Sequence, residues 1–334
     1  MYTSIFRRGL LASKTAIVTG GSGGIGFNVA KELRSLGANV IIASRNEANL
    51  VSAVKELKEI SSSSGATDGE ISHLKCDIRQ NDDVEKLMKH AIEKYSSISY
   101  LVNNGGGQFP VAAECTSENG WQAVIDTNLN GTFRMCKEAA VSGKMRENGG
   151  SIVNIICTHH QGFPGMAHTG AARAGVDNLT RSLAVEWAEF GIRINSVAPG
   201  IIYSSTAEKN YESMQDRYLS SQASKIPMRR LGTTQEVANV VIFLLSTGGS
   251  YTSGMTYIVD GGLTCSGSVG SDAFLRRSKL KHTRELFPVE GDLPDFCIAD
   301  DHTVPIFADT NTDVEKEIQE LEMKLNFLRG EGKR

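Results

Sequence analysis

From residue 15 to about 260, short apolar runs alternate with segments of helical period, and this alternation leaves few folds open to the chain. Thr15–Thr19, Asn39–Ser44, Ile71–Asp77, Tyr100–Asn103, Ser151–Cys157, Arg193–Ala198 and Thr256–Val259 read as strands. Most are continuously rich in Val, Ile and Leu, as strands buried on both faces must be. Between them, Val51–Ile60 and Val84–Lys94 repeat their apolar positions with helix period. Strand, helix, strand in series predicts βαβ units, and so an α/β fold with a single doubly wound domain around a central parallel sheet.

At 334 residues the chain is long enough for one large domain over 1–266 and a C-terminal extension over 267–334. The extension is Gly/Ser-rich over 264–273, then polar with scattered prolines, and is expected to be partly disordered. Near 313–329, Val314, Ile318, Leu321, Leu325 and Leu328 mark one amphipathic helix. No apolar run approaches the ~20 residues that span a bilayer. A net charge of −3 gives no reason to expect nucleic acid as a partner. Six scattered cysteines carry neither a metal-ligand spacing nor a disulfide framework, so no metal is expected. The first fifteen residues, with Arg7, Arg8 and Lys14, read as a lead-in whose Leu10 and Leu11 pack beneath the sheet, or else as a basic presequence.

The chemistry-bearing pattern comes first at the turn after the first strand. Thr19-Gly20-Gly21-Ser22-Gly23-Gly24-Ile25-Gly26 follows Ala16-Ile17-Val18 and opens a helix. Glycines there let main chain approach a pyrophosphate, and the helix N-terminus offers free N–H groups and a positive dipole end. The second strand ends Ala43-Ser44-Arg45, with no carboxylate to take a ribose 2′-hydroxyl. Arg45 can pair with a 2′-phosphate and Ser44 can donate to it, which selects NADPH.

These motifs, with Cys76-Asp77-Ile78, Asn103-Asn104-Gly105-Gly106, Asp126-Thr127-Asn128-Leu129 and Ala198-Pro199-Gly200-Ile201, resemble the short-chain dehydrogenases/reductases in kind and order over roughly residues 10–264. More narrowly, Asn103–Phe109 and Gly170–Val176 look like the peroxisomal trans-2-enoyl-CoA reductases, with the 2,4-dienoyl-CoA reductases beside them. The resemblance implies a Rossmann fold and a homo-oligomer, most simply a tetramer, packed through helices around small residues such as Ala171, Ala172, Ala174 and Gly175. It also implies cofactor contacts: Gly20, Ser22, Gly24, Ile25 and Gly26 around the pyrophosphate, Asp77 and Ile78 at the adenine, Asn104 and Gly105 along the ribose, and Pro199, Gly200 and Ile201 at the nicotinamide. Asn128 would help hold a water or a substrate oxygen. Tyr203–Lys225 lies where such proteins carry a mobile substrate loop.

The chain departs from the superfamily at the centre of the chemistry. Where Tyr-x-x-x-Lys is usual, it reads Thr169-Gly170-Ala171-Ala172-Arg173, and the usual serine falls at Cys157 or Thr158. A ketone reduced to an alkoxide needs a positioned proton donor of tunable pKa. Threonine is a poor one, and arginine is always charged. Reduction of an enoyl thioester instead leaves an enolate, which needs hydrogen-bond donors at the thioester oxygen. Thr169, Thr158 and Arg173 suit that task, with Arg173 also gripping the nicotinamide ribose. Any of His159, His160 and His168 could donate the α-carbon proton; His168 is expected to line the pocket as a catalytic residue, while His159 and His160 read as exposed loop residues. Asp177 reads as solvent-facing and Cys157 as a strand-end filler.

The expected activity is NADPH-dependent reduction of the C=C of a trans-2-enoyl-CoA thioester in fatty acid metabolism. A 2,4-dienoyl-CoA reductase, or a catalytically idle NADP-binding protein, is the alternative. Resemblance implies the peroxisome, with mitochondrial or cytoplasmic location as alternatives. Ser278-Lys279-Leu280 spells the peroxisomal tripeptide but lies inside the chain, where it is expected to be silent.

Overall fold

A computed structural model describes residues 4–60, 68–160, 162–204 and 221–266. The extension from 267, its expected helix and tripeptide, and most of Tyr203–Lys225 lie outside the described residues. Among the described residues, nine strands run β1 Thr15–Thr19, β2 Asn39–Ser44, β3 Ile71–Lys75, β4 Tyr100–Asn103, β5 Gly150–Ile155, β6 Ile192–Pro199, β7 Ile202–Tyr203, β8 Gly232–Thr233 and β9 Thr256–Val259. The α-helices of the described residues are α1 Gly24–Ser35, α2 Glu47–Glu59, α3 Asn81–Tyr95, α4 Glu118–Ile125, α5 Gly131–Val141, α6 Met145–Asn148, α7 Ala167–Glu186 and α8 Thr234–Leu245.

Seven strands form one sheet in the order β3-β2-β1-β4-β5-β6-β9, and every pair is parallel. Strand order reverses between β1 and β4, and the crevice at the carboxyl ends of such a pair is where doubly wound folds bind ligands. Successive β1 residues point to opposite faces. Ala16 and Val18 join a core with Val29, Leu33, Val241 and Ile242 of α1 and α8, whereas Ile17 joins Leu87, Met88, Met135 and Ala139 of α3 and α5. Helices on both faces explain why the strands carry no polar alternation. Leu11 is buried in the first core, and its N–H donates to the Leu36 carbonyl, so the lead-in packs beneath the sheet.

Two strands end earlier than their apolar runs suggest. β3 stops at Lys75 and β5 at Ile155, although Cys76 and Ile156 each donate one further hydrogen bond to a neighbouring strand. Residues 76–78 and 156–158 thereby leave the sheet at the crevice. Among the described residues no helix is long and apolar enough to cross a membrane.

Candidate active site

At the β1–α1 turn the backbone dictates the residue type. Gly20 and Gly24 have φ of +65° and +55°, a region that side chains disfavour. A Cβ on Gly26 would lie 2.4 Å from both the Gly20 oxygen and Asn104 Nδ2, so any side chain there would collide with the turn. Gly23 at the N-cap of α1 brings no side-chain acceptor, and the helix has no acid in its first turn. Free N–H groups and an uncompensated dipole end therefore meet in a glycine cradle, the arrangement a pyrophosphate fits.

Ser22 Oγ lies 3.3 Å from Ser44 Oγ, joining the turn to the end of β2. Arg45, next along, is exposed. Asp77 is held by a residue that sequence reading passed over. Arg79 grips both carboxylate oxygens (Nε 2.9 Å, Nη2 2.6 Å), and that pairing draws the Asp77 pKa below the usual carboxylate value. The signal was present in the Asp-x-Arg spacing. Ile78 is buried against Gly105 and Gly131.

Asn104 serves the turn itself. Its Nδ2 donates to the Thr19 and Gly20 carbonyls at 3.1 and 3.2 Å, while Thr19 Oγ1 accepts from the N–H groups of Asn104 and Gly105. Asn128 is similarly engaged. α4 and α5 are joined by a wider turn of π geometry over Asp126–Asn130, a feature frequent at functional sites. From it Asn128 Nδ2 donates to Gly107 O (2.7 Å) and Val124 O (2.9 Å), and Oδ1 accepts from Gly107 N–H (3.3 Å). The asparagine thus staples the glycine loop after β4. On the other flank, Pro199 ends β6. A Cβ on Gly200 would meet Asp260 Cβ at 2.6 Å, so glycine lets the chain leave the sheet there towards Ile201.

The buried stripe of α7 carries His168, Thr169, Ala172, Arg173 and Val176. Arg173 is only 8% exposed, and its Nη1 donates to the Ile155 carbonyl at 2.8 Å. Burial pushes its pKa from 12.5 down to about 10, with partial relief from nearby Cys157. Among the described residues no carboxylate forms an ion pair with it. A Cβ on Gly106 would fall 2.2 Å from Arg173 Nη2, so that glycine is what admits the guanidinium. Thr158 follows β5 at the same crevice and is partly buried. Burial raises the Cys157 pKa, in keeping with a filler rather than a nucleophile.

Thr169 is fully buried, with its hydroxyl 3.2 Å from His168 Nδ1. Expectation fails at Asp177, which is buried rather than solvent-facing. It accepts from Arg181 Nη2 at 2.8 Å and from the Thr256 hydroxyl, because α7 turns this position towards β9. His159 also departs from the exposed-loop reading. Its side chain is 9% exposed, 3.8 Å from Asp177, and burial lowers its pKa. His160 is exposed as expected.

Beneath the site runs a polar chain that the apolar strand patterns concealed. Asn103 Nδ2 donates to Asn154 Oδ1 (2.8 Å), Asn154 Nδ2 to Thr180 Oγ1 (2.9 Å), and Thr180 meets Ser196 Oγ at 2.8 Å. Four buried side chains thereby tie β4, β5 and β6 to α7 and fix the height of Arg173 and Thr169 above the sheet.

Comparison with known proteins agrees with this geometry. The pattern of the enoyl-(acyl carrier protein) reductase family matches residues 20–264. The chain is 36% identical over 255 residues to a probable 2,4-dienoyl-CoA reductase of Bacillus subtilis, covering 75% of this chain and 97% of that one. A peroxisomal 2,4-dienoyl-CoA reductase of Danio rerio is 34% identical over 266 residues, covering 78% and 85%. Among solved structures, an actinorhodin polyketide ketoreductase with NADPH superposes with a TM-score of 0.70 at 31% identity, over 75% of this chain and 97% of that one. With the glycine cradle, the parallel sheet and these likenesses together, the chain belongs to the short-chain dehydrogenase/reductase family of oxidoreductases.

Proposed function

We propose that the protein reduces the C=C of a trans-2-enoyl-CoA thioester with NADPH. One observation carries the reading: the catalytic stripe of α7 presents a buried, unpaired guanidinium and a threonine instead of a phenol and a lysine. The glycine cradle, Ser22, Ser44 and Arg45 would hold NADPH, which supplies a hydride when bound. Hydride addition at the β-carbon moves the π pair onto the thioester oxygen, and a proton then reaches the α-carbon to give the saturated thioester. The chain's part is to stabilise that enolate. A fixed charge in a dry site does so strongly, because it needs no reorganisation as charge develops. A ketone would leave an alkoxide needing a proton donor of tunable pKa, which neither Thr169 nor Arg173 is.

The dienoyl-CoA reductases among the relatives support the same enolate logic and keep dienoyl-CoA as the second reading. NADPH oxidation should be followed with crotonyl-CoA, a medium-chain enoyl-CoA, a dienoyl-CoA and acetoacetyl-CoA in parallel. Highest kcat/KM on a monoenoyl-CoA is expected. Preference for acetoacetyl-CoA would refute the reading, and NADPH binding without turnover on any of them would leave a binding protein. Location in the peroxisome and assembly as a homo-oligomer belong to the same proposal. For the latter, Ala171 and Ala174 are exposed on α7, whereas Ala172 and Gly175 pack within the protomer.

A further inference from the structure

His168 stands at the start of α7, 1% exposed, with its ring held on two sides. Nδ1 accepts from the Thr169 main-chain N–H at 2.7 Å and lies 3.2 Å from the Thr169 hydroxyl. The Phe109 ring packs against it at a centroid distance of 4.6 Å and an interplanar angle of 71°. A ring nitrogen that accepts from a main-chain N–H does not carry the ring proton, so the proton sits on Nε2. That Nε2–H is buried and finds no hydrogen-bond partner among the described residues. Buried donors without partners are rare, because they forfeit water and receive nothing in return.

The position of this orphan gives it meaning. One loop, running from the end of β4, touches Arg173 through Gly106 and His168 through Phe109. Its backbone is pinned at Gly107 by Asn128 and at Val111, whose N–H donates to Gly165 O at 2.7 Å. Between those anchors Phe109 is 39% exposed while the His168 ring that it packs against is buried. Taking the proposed enoyl-CoA chemistry as the ground, we infer that the Nε2–H of His168 is the hydrogen-bond donor for the thioester oxygen. Phe109 is its removable cover, and Thr169 is a positioning residue that orients the ring. The histidine is not the source of the α-carbon proton. Giving up the Nε2 proton would require Nδ1 to take another, and Nδ1 is already filled by the Thr169 N–H.

Glutamine separates these roles, since its amide N–H reaches about as far as Nε2–H but transfers no proton. The full-length protein is assayed with NADPH and an enoyl-CoA that the wild type reduces. For His168→Leu, kcat should fall about 10²- to 10³-fold, the loss seen when one preorganised donor is removed, with NADPH affinity little changed. His168→Gln should recover kcat to within about tenfold of wild type. Near-wild-type turnover in the leucine variant, or glutamine as slow as leucine while still binding NADPH, would overturn the inference. If the leucine variant fails to fold, nitrogen-15 spectra of histidine-labelled wild type decide. His168 should show the Nε2–H tautomer and a shifted Nε2 resonance when the NADP⁺ complex binds a saturated acyl-CoA, and an unmoved resonance would count against it. Failure of the wild type to reduce any enoyl- or dienoyl-CoA would instead remove the functional reading on which this rests.

Discussion

Replacing Arg173 by methionine should leave the fold about as stable as before while removing most of the activity. The side chain is 8% exposed, and burial brings its pKa from 12.5 to about 10. At 1.36 kcal/mol per pH unit, that fall sets about 3 kcal/mol against the charged form. Methionine removes this penalty and keeps most of the apolar stem. It gives up a charge-assisted hydrogen bond to the Ile155 carbonyl, worth about 1.5–3 kcal/mol. The two effects largely offset each other, so unfolding free energy should change by no more than about 2 kcal/mol. The sign with pH follows from a folded pKa below the unfolded one. Between about 10 and 12.5 the unfolded chain binds more protons, so the wild type gains on the variant only there, and the difference should be flat from pH 7 to 9. In contrast, kcat should drop by about 10²-fold or more, since a fixed charge aimed at the enolate has no substitute. Denaturant unfolding at two pH values beside NADPH oxidation measures both. Destabilisation beyond about 3 kcal/mol would make Arg173 a structural residue, and turnover within threefold of wild type would remove it from the chemistry.

Arg45→Asp should weaken NADPH binding by about 1.5–3 kcal/mol and improve NADH relative to it, because a carboxylate repels a 2′-phosphate and accepts from a 2′-hydroxyl. Titration of both nucleotides tests this, and an unchanged preference would refute the assignment. Thr180→Val keeps the shape of a buried link between Asn154 and Ser196 but strands their donors, so it should cost about 1–3 kcal/mol by denaturant unfolding. Unaltered stability would show that the polar chain does not hold α7. For location, a version of the chain cut after Leu280 and tagged at its N-terminus should give peroxisomal puncta. Diffuse signal would reduce Ser278-Lys279-Leu280 to coincidence.

What the sequence revealed and what it concealed divide along a physical line. Strands buried on both faces must be apolar throughout, so all seven sheet strands lie within about one residue of their apolar runs at the ends that begin them, and the glycine turn declares itself by its setting. Residues whose role is to hold other residues give no such signal. Asn104 and Asn128 read as ligand-facing, yet their amides staple the turn and the loop, because a short polar side chain beside glycine-rich backbone meets main-chain groups first. Asp177 read as solvent-facing because helix period alone does not show that β9 lies across its path. Arg79 was passed over, and Gly106 was read only as part of a motif, for the same reason, since each matters through a partner set by the fold.

The absence of a tyrosine from α7 therefore has to be weighed with what surrounds its replacement. A decayed site would be expected to lose the costly features first, and a guanidinium buried without a carboxylate is such a feature. Here it is present, along with a glycine at 106 whose lack of a side chain is what makes room for it. A buried donor without a partner among the described residues, His168 Nε2, lies within the same stripe. Two buried cation or N–H groups touching one loop suit an oxygen that becomes negative during reaction. The arrangement supports the proposed reading, in which electrostatic stabilisation of an enolate takes the place of proton transfer from a phenol.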